Sequence, residues 1–274
     1  MSLKIQIVSD VHVEFWANKK TFNFIVPSAP ILALLGDICC VGSDDDFQLY
    51  KRFIMEYLPK FQHIILVAGN HEYYYQPSKR GVLPKKNNTI DGCNKKLLNF
   101  CKQSPKLHFL NNGSMTLTIN KKNYLIIGTT LWSYIPSDQY IQLQSAMNDY
   151  KFIYVYDQHL KQIRHLKAKD VVNMHHTAVR YIKSQLTRAQ KNKMQLVVLT
   201  HHKPYLSKNY KYNLFSCAYE SNLIELFHSP LILWGYGHTH IRDNSTINKI
   251  RVISNPKGYP YQPTGFRSSA IVEI

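Results

Sequence analysis

The sequence predicts an α/β layered fold. Seven short runs rich in Val, Ile and Leu, at 3–8, 31–35, 64–68, 124–127, 196–199, 231–234 and 250–253, are each bounded by turn residues. They are too short for helices and nearly continuous in apolar character, as strands covered on both faces are. Stretches with helical spacing lie between them, and strands alternating with helices build layers. A third observation bears on function as well. Five of the runs deliver Asp, Asn or His just past their carboxyl ends.

In chain order, run 3–8 leads into Ser9, Asp10, Val11 and His12, and run 31–35 into Gly36 and Asp37. The stretch 44–57 opens on acidic residues and carries Phe47, Tyr50, Phe53, Ile54 and Tyr57 at helical spacing, which predicts a helix. Run 64–68 leads into Gly69, Asn70, His71 and Glu72. Segment 77–89 is polar, basic and turn-rich and predicts a surface loop. Further helices are predicted over 91–101 and 170–188, the latter with Val172, His176, Val179 and Ile182 on one side. Run 196–199 leads into Thr200, His201 and His202. Run 231–234 precedes Gly235, Tyr236, Gly237, His238, Thr239 and His240. No repeat or linker divides the chain, so residues 1–274 read as one domain.

Hydrophobic residues make up 45% of the chain, enough for a sizeable core, which excludes global disorder. Lys and Arg total 34 against 17 Asp and Glu, a formal net charge of +17. That imbalance fits an acidic partner such as a nucleotide or nucleic acid. It equally fits compositional drift toward Lys, Asn, Ile and Tyr. The five cysteines follow no metal or redox spacing, and the chain opens on a strand pattern rather than a signal peptide. No apolar run approaches the ~20 residues of a membrane span. The expectation is a reducing, cytoplasmic setting with no membrane and no obligate protein partner.

In open α/β sheets the carboxyl edge is where ligands bind. Carboxylate, carboxamide and imidazole gathered there suit Mn, Fe, Zn or Ni better than a cysteine-built structural zinc site. Asp10 and His12, like His238 and His240, stand two apart. In extended backbone such pairs point the same way, so each pair can share one metal or straddle two. The flanking Gly36, Gly69 and Gly237 allow close backbone approach beside the ions.

The ordered blocks Asp-x-His, Gly-Asp, Gly-Asn-His-Glu, Thr-His-His-x-Pro and Gly-His-Thr-His span residues 10–240. In that order they resemble the calcineurin-like metallophosphoesterase superfamily. Residues 9–15 and 254–259 are further similar to a bacterial-type branch of small cytosolic phosphoesterases. The resemblance implies a four-layer α/β/β/α sandwich and two divalent metal ions at the strand ends. It implies that Asp10, His12 and His240 hold one ion, that Asn70, His201 and His238 hold the other, and that Asp37 bridges them. A metal-bridging hydroxide would attack the phosphate mono- or diester. His71 would then serve the phosphate or protonate the leaving group as the catalytic histidine.

Two positions depart from the family pattern. Cys40 stands where many members carry the Asp that orients the catalytic histidine, which leaves His71 without its usual acceptor. Tyr236 replaces a His that commonly precedes Gly-His-x-His. His12 is intact, whereas lariat-debranching relatives usually carry Cys there. Of the adjacent pair, His201 is favoured as ligand because it follows the strand directly, and His202 packs or bonds elsewhere. His63, His108, His159, His165, His175, His176 and His228 fit no block and read as structural.

Two loops beyond the ligands mix aromatics with cations. One carries Tyr73, Tyr74, Tyr75, Lys79 and Arg80; the other carries Lys203, Tyr205, Lys208, Tyr210, Lys211 and Tyr212. Such loops suit stacked bases and phosphates, or simple loop packing beside a solvated face. Candidate substrate contacts are therefore His202, Tyr73, Lys203 and Trp132. The competing functions are a protein Ser/Thr phosphatase on the same centre and a non-catalytic basic nucleic-acid-binding module.

Overall fold

The computed structural model describes residues 2–76, 81–208 and 215–274. In chain order its main elements are β1 (Lys4–Val8), β2 (Ile31–Leu35), α1 (Asp44–Tyr57), β3 (His63–Val67), α2 (Ile90–Cys101), β4 (Leu107–Phe109), β5 (Gly113–Ile119) and β6 (Lys122–Thr129). There follow α3 (Tyr140–Ala146), α4 (Asp149–Phe152), β7 (Tyr154–Asp157), β8 (Gln162–His165), α5 (Ala168–Lys191), β9 (Gln195–Thr200), β10 (Leu231–Tyr236), β11 (Asp243–Ile247), β12 (Ile250–Ser254) and β13 (Val272–Glu273). Helix starts follow capping chemistry. Ser43 Oγ accepts the Asp46 N–H at 3.2 Å to open α1, and Thr89 caps α2 through the Gly92 N–H.

Two sheets stack face to face. One runs β13-β1-β2-β3-β4 and the other β11-β12-β10-β9-β6-β5. The alternation of side chains along each strand divides the core. Ile5, Ile7, Ala33, Leu35, Ile65 and Val67 of the first sheet meet Ile126, Val197, Leu199 and Leu233 of the second. On the other face of the first sheet, Leu32, Leu34 and Leu66 pack under Tyr50, Phe53 and Ile54 of α1 and Leu97 of α2. Outside the second sheet, Leu125, Ile127 and Val198 pack under Ala178, Ile182 and Leu186 of α5. This is the expected α/β/β/α layering.

All seven apolar runs are strands, and the three longer helices lie where their spacing puts them. The missed elements are marginal in pattern. β5 and β11 are edge strands whose residues alternate between exposed and half-buried. β7 and β8 form a separate, partly exposed two-stranded ribbon. Among the described residues no helix is long and apolar enough to cross a membrane.

β1, β2 and β3 are mutually parallel, as are β6, β9, β10 and β12. Their carboxyl ends therefore collect along one rim of each sheet. Backbone hydrogen bonds join neighbouring loops there: Asp10 N–H to Gly36 O at 2.9 Å, His12 N–H to Asp37 O at 3.0 Å and Gly237 N–H to His201 O at 2.9 Å. Across the sheets, His238 N–H donates to the Asp10 carboxylate at 3.0 Å, and His201 Nδ1 donates to Leu35 O at 2.8 Å.

Candidate metal centre

The strand-end loops do not continue in extended form. Asp10, His12, Asp37, His238 and His240 all have positive φ, between 49° and 66°. This corrects the extended-backbone expectation for the two Asp/His-x-His pairs. A left-handed residue at every second position turns the chain sharply and still delivers both side chains to one place. Non-glycine residues held this way are costly and gather where function demands them. Glycine is required where the loops touch: a Cβ on Gly69 would lie 2.2 Å from Asp37 Oδ1, and one on Gly36 would lie 2.4 Å from His201 Nδ1.

The seven candidate ligands come together in two groups. In the first, His12 Nε2 lies 3.2 Å from His240 Nε2, and His240 Nε2 lies 3.3 Å from Asp10 Oδ1. In the second, His201 Nε2 lies 3.1 Å from Asn70 Oδ1, 3.1 Å from His238 Nδ1 and 3.3 Å from Asp37 Oδ1. Asp37 stands between the groups, its Oδ2 4.0 Å from His12 Nε2.

The outer hydrogen bonds decide which atoms face inward. His12 Nδ1 donates to Glu14 Oε1 at 3.2 Å, and His240 Nδ1 donates to Gln262 Oε1 at 2.7 Å. Both rings then turn Nε2 at each other. His201 is committed in the same way by Leu35 O. Asn70 Nδ2 donates to Asp149 Oδ1 at 2.9 Å, which leaves its carbonyl oxygen facing His201. Among the described residues, His238 Nε2 is buried without a hydrogen-bond partner. Lone pairs converging at 3.1–3.3 Å repel unless a proton or a cation lies between them. This donor set fits divalent cations, with outer partners fixing the rings of His12, His240 and His201 as metal-binding histidines require.

Burial pushes the Asp37 carboxyl up, but His201, His71 and His12 outweigh it and hold the group well below the usual carboxylate range. Burial also disfavours charge on the His71 ring, yet Asp37 and Glu14 raise it to about 9. Glu72 knits the rim: its carboxylate accepts the N–H groups of Asp37, Ile38 and Gly69 at 2.6–2.8 Å.

His71 sits at the edge of the ligand groups. Its N–H donates to Asp37 Oδ1 at 2.9 Å, and its Nδ1 lies 3.2 Å from Glu14 Oε1. The acceptor that Cys40 cannot supply thus comes from Glu14, four residues past Asp10, while Cys40 is buried in the core beside α1. Three tyrosines cover the histidines: Tyr74 stacks on His71 at 4.3 Å, Tyr219 on His238 at 4.7 Å and Tyr259 on His12 at 4.3 Å. Tyr259 is delivered by the tail, where Gly258 N–H donates to Asp10 O at 2.8 Å. With Asp37, Asn70, His71, His238 and His240, these tyrosines line an open cavity of about 550 Å³.

The four candidate substrate contacts lie elsewhere. His202 is buried, bonds Thr130 O through Nδ1 and packs on His238 at 4.2 Å. Burial and the adjacent His201 hold its ring well below the usual imidazole range. Lys203 is buried in an ion pair with Glu220 at 3.4 Å. Tyr73 and Trp132 stack on each other and line a separate cavity of about 290 Å³. None of the four lines the candidate ligand cavity. Tyr75 is buried too, and Lys79, Arg80, Tyr210, Lys211 and Tyr212 lie outside the described residues. Sequence reasoning missed Glu14, Asp149, Tyr219, Tyr259 and Gln262 as parts of the site. Glu14 alone had a local signal, standing two residues past His12.

A family model described as calcineurin-like phosphoesterase matches residues 3–242. The chain belongs to the calcineurin-like phosphoesterase family. It is a phosphoester hydrolase, and the family's metal dependence agrees with the donor set above. An uncharacterized protein of Acanthamoeba polyphaga mimivirus is 30% identical over 293 residues, which cover 98% of this chain and 96% of that protein. The structure of phosphopantetheinyl hydrolase from Mycobacterium tuberculosis is 15% identical with a TM-score of 0.65, over 100% of this chain and 96% of its own. That of TT1561 of Thermus thermophilus is 11% identical with a TM-score of 0.50, over 93% and 90%. These two structures share the fold of this calcineurin-like phosphoesterase.

Proposed function

We propose that the chain hydrolyses phosphate mono- or diesters at a two-metal centre. Asp10, His12 and His240 would hold one divalent cation, Asn70, His201 and His238 the other, and Asp37 both. The observation that carries this reading is the convergence of imidazole, carboxamide and carboxylate acceptors, with the outward polar atoms of His12, His240, His201 and Asn70 already committed. Bound there, two cations lower the pKa of a shared water and screen phosphate charge.

The chain's own residues supply the rest. His71 projects from the rim into the cavity, with Nδ1 held by Glu14 and Nε2 3.5 Å from the Tyr259 hydroxyl. From there it donates to a phosphate oxygen or to the leaving group. Tyr74, Tyr219 and Tyr259 wall the centre and offer aromatic faces to the organic part of the substrate. Among the described residues no Lys or Arg lines the cavity. The nucleotide reading therefore rests on the aromatic walls rather than on the net charge. Metal identity among Mn, Fe, Ni and Zn is open to the same donor set. Ligands drawn from both sheets support reading 1–274 as one domain. The cysteines are buried and form no disulfide among the described residues, which supports a reducing, cytoplasmic setting.

The test is turnover of p-nitrophenyl phosphate and bis-p-nitrophenyl phosphate by metal-stripped protein, with Mn, Ni, Zn and Mg restored one at a time. Metal-dependent turnover, lost in Asp37→Ala, is expected. The preferred ester sorts monoesterase from diesterase. Turnover that ignores metal removal would sink the reading.

A further inference from the structure

We infer that Glu14 is the positioning residue of His71, replacing by a different route the acceptor absent at Cys40. The inference rests on the proposed role of His71. Glu14 stands on the single turn Val13–Trp16 that follows His12. Its Oε1 lies 3.2 Å from His71 Nδ1 and 3.2 Å from His12 Nδ1. One carboxylate oxygen thus ties a metal-ligand candidate to the proton donor. The two rings meet edge to face at 4.5 Å. A carboxylate can only accept, so both Nδ1 atoms must carry protons. That fixes the tautomers: His12 turns a bare Nε2 to the metal side, and His71 turns Nε2 toward the cavity.

The consequence is a defined proton route. As water adds to phosphorus and gives up a proton to solvent, the bond from phosphorus to the ester oxygen breaks and its electron pair goes to that oxygen. The His71 imidazolium gives its Nε2 proton to the same oxygen. The ring becomes neutral with Nδ1–H still on Glu14, and solvent returns a proton to Nε2. Glu14 touches neither substrate nor the reacting atoms; it orients the ring, as the carboxylate partner of a catalytic histidine does.

Glu14→Gln keeps shape and removes the charge. The readout is kcat for two esters that differ in leaving group, phenyl phosphate (poor) and p-nitrophenyl phosphate (good), or the matching diesters if those are preferred. The expected result is a loss of about 100-fold in kcat on the phenyl ester. On the nitrophenyl ester the expected loss is no more than about 3-fold, because that anion leaves without a proton. KM should match wild type, and all variants are assayed at saturating metal because Glu14 also holds the candidate ligand His12. In a His71→Asn background, Glu14→Gln should cost nothing further, since its effect runs through His71. At saturating metal, equal losses on both esters or a full additional loss in the His71→Asn background would each overturn the inference. If Glu14→Gln does not fold, Glu14→Asp gives the same leaving-group comparison with the charge retained and the reach shortened, and an equal loss on both esters would again refute the idea. Wild-type protein inactive on every ester would instead sink the hydrolytic role of His71 itself.

Discussion

Asp149 offers the sharpest test of how the second ligand group is assembled. Its Oδ1 accepts from Asn70 Nδ2 at 2.9 Å and from the Tyr74 hydroxyl at 2.6 Å, and the residue is 6% exposed. Asp149→Ala removes both bonds. Each hydrogen bond to a charged group contributes about 1.5–3 kcal/mol. Relief from burying a carboxylate offsets part of this, so the net stability loss should be about 1–3 kcal/mol. The larger effect falls on geometry. Without Asp149 the Asn70 amide keeps only a longer bond from Nδ2 to the Tyr74 hydroxyl at 3.3 Å, and Tyr74 itself loses its acceptor, so the hold on which end faces His201 is weakened. Loss of such an outer partner typically costs 10–100-fold in metal affinity, roughly 1.4–2.7 kcal/mol. Competition against a fluorescent chelator reads the affinity, and thermal unfolding reads the stability. A folded Asp149→Ala protein with wild-type metal affinity would refute the claim that this carboxylate orients Asn70.

Other consequences are as specific. Gly69→Ala should abolish metal-dependent turnover and destabilise the rim, because its Cβ would collide with Asp37 Oδ1 at 2.2 Å; turnover near wild type would contradict the packing. Lys203→Met should lower stability by about 1–3 kcal/mol by leaving buried Glu220 with Ser207 in place of its cation, with KM unchanged; a rise in KM without destabilisation would return Lys203 to the substrate. His175 is buried against Leu131 O and Trp132 O, and burial holds its pKa below the ordinary 6.5. The unfolded chain therefore takes up a proton first as pH falls, and stability drops from about pH 6.5 downward. His175→Gln should make the melting temperature fall less between pH 7 and about pH 5 than it does in wild type, and an unchanged slope would count against it.

The inner strands were legible because strands covered on both faces must be apolar throughout, as 31–35 and 196–199 are. β5 and β11 escaped notice because an edge strand needs only half its residues buried, and Asp243, Asn244, Ser245 and Thr246 read as loop. The candidate ligands were legible because each follows closely on an apolar run. Asp149 was not: it lies on a four-residue helix and is 79 residues from Asn70. Nor could residue order along a loop say which side chains turn inward. Lys203 and Tyr73 resemble substrate contacts in sequence, and the fold spends them on Glu220 and Asn94. Cys40 looked like a defect in the site, yet the missing acceptor arrives from the neighbouring turn at Glu14.

The most direct test of the two-metal centre is electron paramagnetic resonance on the Mn-loaded protein, titrated alongside phosphoester turnover. The account predicts an exchange-coupled pair signal that grows to two Mn per chain together with activity, and its loss in Asp37→Ala. Full turnover at one Mn per chain, with only an isolated-ion signal, would contradict it.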